Sequence, residues 1–206
     1  MKNKITFFLA STLIIALSSC VGEVKEKLKT AKEGVSNVTT LVKEAEKVEG
    51  RVEKLKNTTP LTHKQLKSWL PESLNGFERT GFKIDQAGMY QVNSVEGTFE
   101  KEEEKQKFNV VVIDGAGPTG SVMASGYGML GNIEMEVEDE NKHQQTVTVN
   151  GIKAQQTYKK KQNNTQLMFA YKERFLVTIK ATKMNVEETW QMTNTLNLAA
   201  LDNLNE

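Results

Sequence analysis

The sequence predicts an α+β fold: a curved antiparallel β-sheet of six to eight strands packed by helices and preceded by a long amphipathic helix. Three observations predict it. Residues 23–57 repeat apolar side chains at helical spacing. From Phe77 to Thr182 the chain runs through short stretches that alternate apolar and polar residues and are rich in β-branched types. Most connections between these stretches, among them Lys101–Lys105, Asn150-Gly151 and Lys172–Arg174, are too short for crossover helices, which makes the strands they join antiparallel.

Residues 1–19 stand outside the fold. Lys2 and Lys4 form a basic start, and a mainly apolar run follows from Ile5 to Leu17, interrupted by Thr6, Ser11 and Thr12. This is the layout of a secretory signal, short of the ~20 apolar residues of a membrane span. It ends in Leu17-Ser18-Ser19-Cys20, which resembles the lipobox of bacterial lipoproteins. The resemblance implies cleavage before Cys20, attachment of lipid (palmitate among the acyl chains) to its thiol, and residues 20–22 as a lipidated N-terminus. Cys20 is the single cysteine of the chain, so an internal disulfide is excluded. Each buried CH₂ contributes about 0.8 kcal/mol, so the expectation is a protein anchored to a membrane outside the cytoplasm without crossing it. In enteric lipoproteins an Asp after the Cys retains the protein at the inner membrane; Val21 occupies that place, which implies the outer membrane.

Residues 23–57 form the predicted stalk. Val24, Leu28, Ala31, Val35, Val38, Val42, Ala45, Val48, Val52 and Leu55 make a heptad-like stripe with a stammer near Val48. Lys and Glu fill the other faces. The stripe suits either a coiled-coil seam that oligomerises the protein or a spacer helix lying against the domain. Its many Val and Ala, with Gly34 and Gly50 each costing about 1 kcal/mol of helix, favour the spacer.

The globular domain, 58–206, begins at the break Thr58-Thr59-Pro60. Thr62 and Gln65 have capping-box spacing for a short helix, and Pro71 ends it near Trp69. Strands are expected at Phe77–Ile84, Met89–Glu100, Lys107–Ile113, Ile133–Glu138, Gln145–Val149, Lys153–Lys159, Thr165–Tyr171 and Phe175–Thr182. Asn150-Gly151 is a two-residue hairpin signal. Asn185 and Glu188 cap a closing helix whose face Val186, Trp190, Thr193, Leu196 and Ala200 should pack on the sheet.

One stretch suggests chemistry. "VVVIDGAGPTG", Val110 to Gly120, reads as a strand feeding Gly-x-Gly-x-x-Gly and is similar to flavoprotein dinucleotide fingerprints. Glu138 falls near the place of the ribose-binding acid. Four features oppose that reading. Asp114 sets a carboxylate where pyrophosphate would approach. Gly126, Gly128 and Gly131 weaken the following helix. Hairpins flank the stretch on both sides, and too little chain follows Glu138 for a doubly wound domain. The preferred reading is a small-residue helix or loop from Pro118 to about Leu130, with Val122, Met123, Tyr127, Met129 and Leu130 packing on the sheet.

Other chemistry is sparse. With 27 basic and 26 acidic residues the net charge is +1, a balance that gives no reason to expect a nucleic-acid partner, since phosphate binding needs a clustered positive surface. His63 and His143 read as solvated rather than metal-ligating. Glu100 to Glu104, Glu134 to Glu140 and Lys159-Lys160-Lys161 with Lys172 read as charged hairpin ends that protect edge strands. "WLPESLNGFERTG", "VVVIDGAG", "VNGIKAQQTY" and "ERFLVTIKAT" before a last helix resemble a group of uncharacterised bacterial envelope proteins, and the layout from Leu61 to Leu201 is similar to the PsbP-like α+β fold. That resemblance carries over no site.

The expected function is thus a lipid-anchored envelope protein with a non-enzymatic binding domain for an envelope protein or small ligand. It has no catalytic residue, no cofactor and no metal, and Cys20 is its one modified site. Two alternatives stay open: a flavin- or nicotinamide-nucleotide-binding redox protein through Gly115–Gly120, and a structural coiled-coil oligomer through residues 23–57.

Overall fold

A computed structural model describes residues 48–86 and 92–205. The expected signal peptide, the lipobox ending at Cys20 and stalk positions 23–47 lie outside the described residues.

The described chain opens with the end of the predicted stalk, helical over residues 48–56 (α1). Its last carbonyls are closed locally, as helix ends require: Thr58 Oγ1 donates to the Lys54 carbonyl at 2.8 Å and Asn57 Nδ2 to the Glu53 carbonyl at 3.0 Å. Helix α2, His63–Trp69, has the expected capping box between Thr62 and Gln65, and Leu70 is extended ahead of Pro71.

The class is α+β, as expected. The sheet is larger than expected: among the described residues it has nine strands, all antiparallel, in the order β1-β2-β3-β4-β9-β8-β7-β6-β5. They are β1 Ser73–Leu74, β2 Phe77–Gln86, β3 Asn93–Lys101, β4 Gln106–Asp114, β5 Glu136–Glu138, β6 Lys142–Val149, β7 Ile152–Lys159, β8 Asn164–Tyr171 and β9 Phe175–Thr182. The added strand, β1, has two residues, too few to show a period. Strand β5 is shorter than the expected Ile133–Glu138, because Ile133 is still the C-cap of the preceding helix. At the β6–β7 turn Asn150 and Gly151 both have positive φ, 50° and 78°, as a two-residue hairpin demands.

Two meanders meet in the middle of the sheet. β1–β4 and β5–β9 are each built of sequence neighbours, and β4 pairs with β9 to join them. Helix α3, Gly117–Asn132, carries the chain from β4 at the centre to β5 at the far edge.

Side chains two apart share a face of a strand. In β4 the buried row is Phe108, Val110, Val112 and Asp114. It joins Val95 and Phe99 of β3, Val177 and Ile179 of β9, and Leu167 and Phe169 of β8 in one apolar core. Helix α2 contributes Leu66 and Trp69, and the closing helix α4, Val186–Thr195, contributes Trp190 and Met192. Asn185 and Glu188 form the expected capping box on α4. The chain then continues as a 3-10 helix, Leu198–Asn205, so the expected long last helix is two elements; Leu198 and Leu201 extend the same core. Trp190 Nε1 donates to Gln156 Oε1 at 2.8 Å, which satisfies both groups inside the core.

Helix α3 lies on the opposite face of the sheet, over β7, β8 and β9, where its Tyr127 hydroxyl meets Thr178 on the side away from Val177 and Ile179. Its orientation differs from the expected one. Val122, placed on the sheet by the sequence reading, is 66% exposed. The buried side is the small one, Gly120, Ser121 and Ala124. Small residues let the helix backbone come close to the sheet, and that close approach turns Val122 outward.

Candidate functional site

The glycine-rich stretch is the first place to look. Asp114 ends β4 on the core face and is fully buried. Its Oδ1 accepts from Arg174 Nε at 2.7 Å and from the Ala116 amide at 3.0 Å. Its Oδ2 accepts from Arg174 Nη2 at 2.8 Å and from the Leu61 amide at 2.7 Å. Each oxygen therefore holds one guanidinium N–H and one backbone N–H, the two-pronged geometry that makes Arg–carboxylate pairs strong. Arg174 also reaches the Thr59 carbonyl at 3.4 Å, and Asn93 Nδ2 donates to the Leu61 carbonyl at 2.7 Å. Three segments distant in sequence are thus tied at one carboxylate: the α1–α2 linker at Thr59–Leu61, the β4 exit and the β8–β9 turn.

The glycines serve the same junction. The Gly115 amide donates to the Arg174 carbonyl at 2.9 Å, and a Cβ on Gly115 would sit 2.5 Å from that oxygen. A Cβ on Gly120 would lie 2.7 Å from the Gly115 carbonyl carbon. Gly117 has φ +82°, and Pro60 Cγ lies 3.2 Å from where its Cβ would be. Gly115, Ala116, Gly117 and Gly120 are all buried. A pyrophosphate loop presents its backbone N–H groups to a ligand. Here the Ala116 amide is taken by Asp114, the Gly115 amide by Arg174, and Pro118 has none.

A second feature was not visible in the sequence. A cleft of about 510 Å³ opens beside this junction. Val48, Val52 and Leu55 of α1 form one wall, and Ser121, Ala124, Ser125 and Gly128 of α3 face into it. Asn150 to Lys153 of the β6–β7 hairpin and Ala170 to Glu173 of the β8–β9 turn close the ends. Tyr127 also lines it, with its hydroxyl 3.3 Å from Thr178 Oγ1 on β9. The lining holds three cations, Arg51, Lys153 and Lys172, and one carboxylate, Glu173. Arg51 pairs with Glu173, and Lys153 Nζ is 3.8 Å from Glu134. Lys172 pairs with Asp202, whose hydrogen bond and charge hold the ammonium above its usual range. Lys172 and Glu173 both have positive φ, 47° and 59°, a left-handed backbone that non-glycine residues rarely adopt. The size and mixed lining are those of small-molecule pockets, ~300–1,000 Å³ with an apolar body and a few polar groups.

The other residues singled out in the sequence do not converge. His63 is exposed on α2. His143 is on β6, its Nε2 3.0 Å from Glu136 Oε1. Glu102–Glu104 form an exposed turn between β3 and β4. Glu136 and Glu138 lie on β5, the sheet edge, where Lys160 and then His143 hold the Glu138 carboxyl below its usual range. Lys160 bonds Glu138 at 2.6 Å. Among the described residues, no three His, Cys, Asp or Glu side chains are grouped as metal ligands would be.

No family model and no curated protein matches the chain. Among solved structures, a crystal structure from Thermotoga maritima described as a GTP binding regulator is similar at 15% identity, covering 64% of this chain and 83% of that one with a TM-score of 0.31. A likeness of that size assigns neither a fold family nor a ligand.

The sequence reading missed Arg174. The signal for Asp114 was present, since the alternation Phe108, Val110, Val112 carries it inward. An inward carboxylate requires a partner, but nothing local says that the partner lies 60 residues on.

Proposed function

We propose that this protein is a lipid-anchored extracytoplasmic lipoprotein, held by Cys20 in the outer membrane, whose α+β domain binds a small ligand or an envelope protein without catalysing a reaction. The observation that carries the binding reading is the cleft between α1 and α3 at the base of the stalk. The anchor rests on the Leu17–Cys20 resemblance and the basic, apolar and small residues before it. A nine-stranded sheet approaches the ~10 strands at which twisted sheets curl, and we take it to curve around α2 and α4.

The glycine-rich loop supports this reading over a flavin or nicotinamide one. Its amides and its close-packed glycines are engaged by Asp114, Arg174 and Pro60.

Three measurements test the proposal. Cys20→Ala should abolish palmitate labelling and release the protein from membranes; labelling that persists refutes the anchor. Thermal shifts with FAD and NAD should be flat; a rise in melting temperature with either restores the redox reading. Crosslinking from membranes should capture a specific partner or ligand, and Gly128→Leu should reduce capture by filling the cleft. Capture that ignores this change would refute the cleft as the binding site.

A further inference from the structure

We infer that the cleft takes a monomeric anionic amphiphile: one apolar body with a carboxylate or phosphate at its end. The inference rests on the binding reading above and adds the chemistry of the ligand.

The walls select an apolar body. Val52 and Leu55 face the small residues of α3 across the cleft, so an aliphatic group seated there would leave water on both sides. A Cβ on Gly128 meets nothing within 4 Å, so this part of the helix faces open space rather than a packed neighbour. The volume of about 510 Å³ suits one such group rather than a folded polypeptide segment.

The ends select the charge. Of the three cations that line the cleft, Arg51 pairs with Glu173 and Lys172 with Asp202, which leaves Lys153 as the one held most loosely. The carboxylate partner of Lys153 is Glu134, whose side chain is 88% exposed and 3.8 Å away. That pair is easily exchanged for a ligand anion, because water screens it and its geometry is loose. An anion entering beside Lys153 would keep its charge in partial contact with solvent, which limits the desolvation cost.

The test uses the chain from residue 20 onward carrying Cys20→Ala, so that stalk and domain remain together. Calorimetric titration below the micellar limit compares decanoate, decanol and decyltrimethylammonium, three probes with one chain length and different charge. Decanoate should bind with one equivalent per chain and about tenfold more tightly than decanol, with the cation weakest. Lys153→Glu should weaken decanoate about tenfold and leave decanol unchanged. Gly128→Leu should abolish binding of both, while Gly126→Leu, on the same helix where a Cβ also meets nothing, should leave both intact. Equal affinity for the three probes, all lost in Gly128→Leu, overturns the anionic class while the cleft reading stands. Decanoate binding that survives Gly128→Leu overturns the site. No decanoate binding overturns the inference, and the effect of Gly128→Leu on crosslinked capture then decides the cleft reading separately. Binding only to anionic phospholipid vesicles, with none to free decanoate, overturns the monomeric ligand in favour of a membrane surface.

Discussion

Replacing Asp114 with Asn should remove about 3 kcal/mol of stability, more than an exposed ion pair contributes. The carboxylate is fully buried and accepts four hydrogen bonds, two from Arg174 and two from the Leu61 and Ala116 amides. An amide retains one acceptor oxygen. Whichever position becomes NH₂ turns a donor toward one guanidinium N–H and one backbone N–H. The guanidinium, only 13% exposed, is left without its counter-charge. Removing one partner of a buried pair costs ~3–5 kcal/mol, and the partial exposure of Arg174 places this case at the lower end. For a chain of this size each kcal/mol lowers the melting temperature by about 2–4 °C, so a fall of about 6–12 °C is expected. Urea unfolding followed by fluorescence of Trp69 and Trp190 measures the loss. Hydrogen exchange locates it, because the Leu61 and Ala116 amides should lose protection before the rest of the core. A double-mutant cycle with Arg174→Met should show coupling above about 1 kcal/mol. A loss below about 1 kcal/mol, or unchanged protection at Leu61, would refute the account of Asp114 as the tie between the α1–α2 linker and the sheet.

Other outcomes follow from the same structure. Gly120→Ala should cost about 2 kcal/mol, because its Cβ would meet the Gly115 backbone at 2.7 Å, whereas Gly126→Ala should gain about 1 kcal/mol of helix propensity in open space; chemical denaturation of the two variants should move in opposite directions. Trp190→Phe should cost about 2 kcal/mol, since it leaves Gln156 Oε1 buried without its donor, and Trp190→Phe with Gln156→Leu should recover part of that loss in the same assay. The Asn141 amide, then that of Lys142, holds the Asp139 carboxyl below its usual range. A depressed folded value stabilises the β5–β6 turn fully above the ordinary aspartate pKa of about 3.9 and ceases to do so as pH falls through the lower folded value. NMR should therefore show the Asn141 and Lys142 amides titrating below that pH, and Asp139→Asn should abolish the titration; amides that titrate higher would reverse the sign.

Much of the fold was legible because its signals are local. Thr62 with Gln65 and Asn185 with Glu188 formed the capping boxes their spacing implied, and Asn150-Gly151 formed the hairpin turn. In each, the interacting atoms are within three residues, so the sequence carries the whole interaction. The eight longer strands were legible for the same reason, through the alternation of side chains along one backbone. The edge strand Ser73–Leu74 was not, because two residues have no period.

The candidate site was far less legible. "VVVIDGAGPTG" contains the three glycines that a phosphate loop and a close helix–strand contact both require, since each needs a backbone without Cβ. The two uses cannot be separated from local sequence. They are separated by what lies opposite, and opposite these glycines lie the Arg174 carbonyl and Pro60, from segments far along the chain.

The sequence by itself determined the α+β class, the caps, the turns and most strand positions, since these depend on backbone preferences and side-chain period over a few residues. Only the tertiary structure decided the pairing of β4 with β9, the outward turn of Val122, the burial of Asp114 against Arg174 and the cleft between α1 and α3. Those depend on which surfaces meet when two meanders close on one another. That meeting is governed by packing and by the need to pair a buried charge across distant segments, information that no short window of sequence contains.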